Sequence, residues 1–126
     1  MELTIKDKVY QFKFGMGFLR EIDKQSYTTV EGSNVKRNTG LQYAVADLYD
    51  ENPEGLVNIL LIANKTESPR ITRDILDDYI DDENTDIEAL CKEVLDFLEC
   101  SNATKKVTTA VLELVEKEKA KQEAQQ

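Results

Sequence analysis

The opening stretch of the chain constrains its fold most. From Glu2 to Phe14 apolar and polar side chains alternate, and after Gly15 and Gly17 the apolar residues Phe18, Leu19 and Ile22 take up helical spacing. A period of two belongs to a strand and a period near 3.6 to a helix. The order therefore predicts a β-hairpin that runs straight into a helix ending at about Gln25. Strands over about Glu2–Lys6 and Val9–Phe14, joined by Asp7-Lys8, set Leu3 opposite Phe12 and Ile5 opposite Tyr10 on one apolar face. Glu2 then faces Lys13 and Thr4 faces Gln11 on the other, so the register is self-consistent. Lys8 would need a positive φ in a turn that prefers glycine there. A lone two-stranded hairpin is marginal in water, so the following helix is expected to cover its apolar face.

The rest of the chain reads as helices, with one polar interruption. Tyr27–Val30 is a candidate third strand, and Glu31–Asn38 reads as a charged loop. Helices are expected at about Thr39–Asp50, Pro53–Asn64, Arg73–Asp82, Asp86–Cys100 and Ala103–Lys117. Pro53 suits a first helical turn. The segment it opens is apolar nearly all round, which places it at the centre of the core. Thr72 is the expected N-cap of the third of these helices, with Ile71 and Leu76 spaced for a hydrophobic staple, and Ile75, Leu76, Tyr79 and Ile80 as its inner face. Thr85-Asp86-Ile87-Glu88 matches a capping box. The fold class is α+β: an N-terminal hairpin packed on a mostly helical body of about five or six helices, one domain over residues 1–117. Residues 118–126 are good helix formers without an apolar face and are expected to be frayed or disordered.

Composition narrows the chemistry. The chain has 126 residues, no histidine and no tryptophan, and 16 basic against 25 acidic side chains give a net charge of −9. Such a charge repels nucleic acid and anionic membranes, and the only basic runs, Lys36-Arg37 and Lys105-Lys106, are short. Without histidine the commonest general base and zinc ligand are missing. Cys91 and Cys100 are nine residues apart on one helix, hence on opposite faces, and read as small apolar residues in a reducing compartment. No apolar run approaches the ~18 residues of a membrane span, and the N-terminus has strand periodicity instead of a signal-peptide core. A soluble intracellular protein is expected.

No motif rises to an active site. Gly15-Met16-Gly17 lacks the third glycine and the βαβ setting of a dinucleotide fingerprint, so glycine is read as permitting a tight corner. The acidic cluster Asp77, Asp78, Asp81, Asp82, Glu83 and Asp86 lacks the central glycine of an EF-hand loop. Carboxylates near a helix C-terminus are unfavourable unless a cation is close, and an intramolecular Lys or Arg is the expected partner. Ser26, Ser33, Ser68 and Ser101 have no histidine to activate them, and Tyr10, Phe12 and Phe14 read as core, not as a base-stacking platform. No catalytic, metal or cofactor residue is assigned, and the chain is expected not to be an enzyme.

Several strings nevertheless carry a family resemblance. The run from Leu3 to Lys24, then Gly40-Leu41-Gln42, Asp77-Asp78-Tyr79-Ile80-Asp81 and Asp86-Ile87-Glu88-Ala89-Leu90, and finally Leu95-Asp96-Phe97-Leu98-Glu99 followed by Ser101-Asn102-Ala103-Thr104-Lys105-Lys106, resemble tail assembly chaperones of long-tailed bacteriophages (siphovirus type) of Gram-positive hosts. The likeness covers about residues 1–106. It implies a non-catalytic helper that binds the tape measure protein and keeps it soluble for tail tube polymerisation. Such a helper works in the cytoplasm of the infected host, is absent from the mature virion, and has no cofactor, small-molecule substrate, nucleic acid or membrane partner. Self-association and contacts with other tail proteins are also expected.

Amphipathic helices can grip a helical client by groove contact. The expected partner surface is the stripe Ile87, Leu90, Val94 and Leu98 with Val107, Val111, Leu114 and Val115. The bland reading of the same residues is that they close the domain's own core. A rival class is a small acidic phage protein that inhibits a host DNA-binding protein by mimicking its ligand. That would need carboxylates spaced like phosphates along an exposed face, and a mixed-charge surface would count against it.

Overall fold

A computed structural model describes residues 1–124 of the chain. The N-terminal hairpin pairs β1 (Glu2–Ile5) with β2 (Lys8–Gln11), antiparallel. Its register differs from the expected one. Leu3 faces Tyr10 and Ile5 faces Lys8, so the turn residues are Lys6 and Asp7, both at positive φ (51° and 66°). Positive φ at both central positions is the mirror-image turn whose twist suits a hairpin, and Asp tolerates the left-handed region better than most residues. The slip is two residues, and side chains alternate with period two, so the apolar face is unchanged. Ile5, Tyr10 and Phe12 are buried on it, while Val9 lies on the outer face. Met1 takes the place opposite Phe12 through the Phe12 N–H (2.8 Å to the Met1 carbonyl), and Gln11 donates to Glu2 across the outer face at 2.8 Å.

Helix α1 (Met16–Asp23) follows and buries Phe18 and Ile22. The ring of Phe14 meets Phe18 edge-on at 5.1 Å. Neither Gly15 nor Gly17 has a positive φ, so the corner itself does not require them. A second hairpin comes next, β3 (Tyr27–Thr29) against β4 (Lys36–Asn38), with Thr28 opposite Arg37. The candidate third strand is thus real, and the expected loop is shorter because its far end, Lys36–Asn38, is a strand too. Those residues are polar on both faces, which is why alternation could not reveal them.

The helical body consists of α2 (Gly40–Tyr49), α3 (Pro53–Asn64), α4 (Arg73–Asp81), α5 (Ile87–Cys100) and α6 (Lys105–Ala124). Three start where side-chain chemistry places them. Asn52 accepts from the Glu54 and Gly55 amides ahead of Pro53, Thr72 accepts from the Ile75 amide, and Asp86 accepts from the Ala89 amide. The capping box expected at Thr85 is therefore replaced. Its hydroxyl donates to the Tyr79 carbonyl at 2.6 Å, and the carboxylate one residue later caps α5. In α2 the cap comes from another helix: Asp23, the last residue of α1, accepts from the Leu41 amide at 3.0 Å.

Helix α2 packs against α1, α3, α5 and α6, and α3 against α1, α2 and α4. Leu56, Ile59 and Leu60 of α3 are fully buried, as its all-round apolar sequence predicts, together with Leu41, Val45 and Leu48 of α2. The inner face of α4 is shallower than expected: Leu76 is buried, but Ile75, Tyr79 and Ile80 are only half-buried. At the junction of hairpin and body sits Asn64, 0% exposed. Its side-chain amide donates to the Gln11 and Pro69 carbonyls (2.9 and 3.1 Å) and accepts from the Ile71 amide (2.7 Å). A single side chain thereby ties β2, the end of α3 and the approach to α4. Helix α6 runs on beyond the expected end at Lys117 to Ala124. The stretch 118–126, expected to be frayed or disordered, is helical and exposed as far as Ala124, and its last two residues lie outside the described ones.

Candidate partner-binding surface

The two C-terminal stripes separate into inner and outer parts. Leu90, Val94 and Leu98 are 5%, 0% and 0% exposed and belong to the core, so a partner cannot reach them in this arrangement. Ile87, Val107, Val111 and Val115 are half-buried, and Leu114 stands 60% exposed. The cause is the turn between α5 and α6. There the buried Thr104 hydroxyl donates to the Leu98 carbonyl at 2.7 Å and the Lys105 amide to the Ser101 carbonyl at 2.8 Å, folding α6 back along α5 and α2. Thr108, on α6 next to that turn, is fully buried with an unpaired hydroxyl. No sequence pattern signals this residue, because threonine is not part of an apolar stripe.

Other apolar side chains reach solvent. Phe97, on the outer side of α5, stacks on Phe14 with centroids 6.1 Å apart. These two rings, with Met1, Phe12 and Cys100, line an open groove of about 400 Å³ where the hairpin meets α5. Met16 is half exposed as well. A second cleft of about 220 Å³ lies between the ends of α1, α2 and α3 and includes exposed Tyr43 and the reciprocally bonded Gln25 and Asn58. Among the described residues the ion pairs are few and exposed: Glu21 with Lys24 and Lys65, Glu54 with Arg73, and Asp96 with Lys92. The Lys24 hydrogen bond and charge, then those of Lys65, hold the Glu21 carboxyl below the ordinary carboxylate range. Among the described residues the expected intramolecular cation for the acidic cluster on α4 is not in ion-pair contact with it. Arg73 pairs with Glu54 instead.

Burial, with a contribution from Glu51, pushes the Cys91 thiol up to about 11, so it stays protonated in the core, and Cys100 is exposed without a partner. Among the described residues no group of three or more Cys, Asp or Glu side chains is placed to hold a metal ion, and no helix is long and apolar enough to cross a membrane. What the surface offers is apolar side chains set among charges.

A family model described as phage tail assembly chaperone protein, TAC, matches residues 2–113. The chain belongs to that family. Comparison with curated proteins and with solved structures finds no match. The matched span begins with the first hairpin and ends within α6, just short of Leu114. The match thus spans the chaperone's first hairpin, its core helices and the packed half of α6. As a tail assembly chaperone it works on other phage tail proteins.

Proposed function

We propose that this chaperone binds the tape measure protein and keeps it soluble until the tail tube polymerises around it, in the cytoplasm of the infected host. The observation that carries the reading is membership of the tail assembly chaperone family over nearly the whole chain. The geometry is compatible with it: exposed apolar side chains on a strongly acidic body suit a protein that covers a greasy helix and stays dispersed itself. In this reading residues 1–117 act as one chaperone domain without catalysis. The client lies along the outer side of α6, against Leu114 and the half-buried Val107, Val111 and Val115, with Ile87 at the edge. Leu90, Val94 and Leu98 hold that surface up from beneath.

Co-expression with the tape measure protein tests both parts. The client should be recovered soluble with the chaperone and insoluble without it. Equal solubility in the two cases overturns the function. Leu114→Glu changes a side chain that the core does not use, so it should leave folding intact and lower the soluble client several-fold. Unchanged client recovery removes α6 from the client surface while leaving the function standing.

A further inference from the structure

The cleft of about 220 Å³ between α1, α2 and α3 holds a carboxylate without a partner. Tyr43 and Asp47 stand one turn apart on α2 and line it from the same face. The Tyr43 side chain is 59% exposed. Asp47 is half-buried against the first turn of α3, where a β-carbon on Gly55 would lie 2.6 Å from its Oδ2. Glycine at that position leaves the carboxylate its place, and the positive end of α3 favours it there. The Gly55 amide, however, already bonds the Asn52 side chain at 3.3 Å. Among the described residues Asp47 forms no ion pair and no side-chain hydrogen bond.

The rest of the lining adds further acceptors. Gln25, just beyond α1, and Asn58 on α3 bond each other through both amides. Asn58 Nδ2 donates to Gln25 Oε1 at 2.6 Å, and Gln25 Nε2 donates to Asn58 Oδ1 at 3.4 Å. The reciprocal pair fixes both side chains. An amide oxygen accepts twice, so each keeps a free lone pair. Ile22 and Ile59, both buried, supply an apolar floor. Among the described residues no Lys or Arg lines the cleft, so nothing in it neutralises the carboxylate. A carboxylate, an open aromatic ring, two spare amide oxygens and an apolar floor thus converge on one space.

We propose that this cleft takes an arginine side chain presented by a tail-protein client. A lysine ammonium is a point charge and would answer the carboxylate alone. The guanidinium is planar, carries five donors, pairs with a carboxylate through two parallel bonds and stacks on aromatic faces. In this cleft it bonds the Asp47 carboxylate and lies on the Tyr43 ring. Its remaining N–H groups reach the amide oxygens of Gln25 and Asn58, and its methylenes cover Ile22 and Ile59. That a client carries the arginine rests on the function proposed above; the chemistry of the cleft does not. The site draws on α1, α2 and α3, and so adds a charged anchor to the apolar surface on α6.

Titrating the isotope-labelled full chain with N-acetyl-arginine amide, followed by NMR, tests the cleft with no tail protein present. The backbone amides of Tyr43, Asp47 and Gly55 and the side-chain amides of Gln25 and Asn58 should shift saturably. N-acetyl-lysine amide should bind several-fold more weakly, and the neutral N-acetyl-citrulline amide should leave these signals in place. Asp47→Asn and Tyr43→Ala, with folding checked by circular dichroism, should each weaken arginine binding several-fold. Shifts scattered over the acidic surface overturn the site. So does lysine or citrulline binding as tightly as arginine, or an Asp47→Asn variant that binds like wild type. In the co-expression assay Asp47→Asn should lower the soluble tape measure protein several-fold. Undiminished recovery beside a positive titration overturns the client as the source of the arginine. A wild type that leaves the client insoluble overturns the chaperone reading and that source with it, while the titration still decides the cleft.

Discussion

Two residues that look ordinary in the sequence bear much of the fold. Gly40 opens α2 where the backbone of α1 passes directly beneath. A β-carbon there would lie 1.8 Å from the Ile22 carbonyl oxygen and 2.8 Å from the Asp23 α-carbon, both backbone atoms that cannot step aside. Gly40→Ala should therefore cost about 3 kcal/mol, at the upper end of overpacking effects, measured as a lower urea midpoint. Asn64 acts through hydrogen bonds, not through volume. Asn64→Leu leaves the buried Ile71 amide unpaired and strips the part-buried Gln11 and Pro69 carbonyls of their donor. At about 1–3 kcal/mol for each buried orphan, the loss should be roughly 3 kcal/mol or more, with hydrogen exchange of the first hairpin accelerated alongside. The cysteines divide by burial. Cys100 should react with a thiol reagent in the native protein at pH 8, and Cys91 only on unfolding. Equal rates for both thiols would show that the α5 face is open.

At the scale of elements, local chemistry and tertiary demand meet most visibly in the first turn. Lys6 and Asp7 both occupy the left-handed region, where a side chain costs about 1 kcal/mol relative to glycine. Replacing the pair by Asn-Gly, the preferred residues for this turn, should stabilise the protein by about 1 kcal/mol without altering the register, read as a higher thermal midpoint. Destabilisation would mean that Lys6, which borders the cleft beside Asp78 and Asp82, contributes more through its charge than its backbone strain costs. The helix starts show the same meeting of levels. Asn52, Thr72 and Asp86 cap from neighbouring positions in the chain, but the α2 amide is capped by Asp23 across a helix–helix contact. The cap at Thr72 was readable from its sequence neighbours, whereas that at Asp23 was not, because capping across a contact leaves no pattern along the chain.

For the whole molecule, alkaline pH exposes the link between burial and ionisation. The Cys91 thiol is raised from 9.0 to about 11, first by burial and then by Glu51. Tyr79 is raised as well, by burial and then by Glu93 and Asp82. In both, folding favours the protonated form, so the unfolded chain loses its protons first as pH rises. The Cys91 contribution is nil below pH 9 and destabilises progressively between pH 9 and 11. The urea midpoint should fall across that window, and the fall should be shallower in Cys91→Ala. An equal fall in the variant would assign the whole effect to other groups.

The sequence carried a good part of this architecture. Alternation over Glu2–Phe14 gave the hairpin and its buried face, though not its pairing. A slip of two residues leaves the same side chains pointing inward, so only the turn geometry and the Met1 to Phe12 contact select the register. The second hairpin was half legible, since Lys36–Asn38 has no apolar face to announce a strand. The candidate surface was legible as two stripes, but not as inside or outside. Leu98 and Leu114 belong to equally good helical patterns, and one is fully buried while the other is largely exposed.

Periodicity, caps, charge and family resemblance are properties of neighbours along the chain, and the sequence by itself determined them: an acidic α+β chaperone with a hairpin and six helices among its described residues. Which apolar stripe faces inward, which glycine is indispensable and which polar side chain joins hairpin to body were decided only by the tertiary structure. Those outcomes depend on atoms distant in sequence meeting within a few ångströms, and a one-dimensional pattern holds no record of which segments will meet.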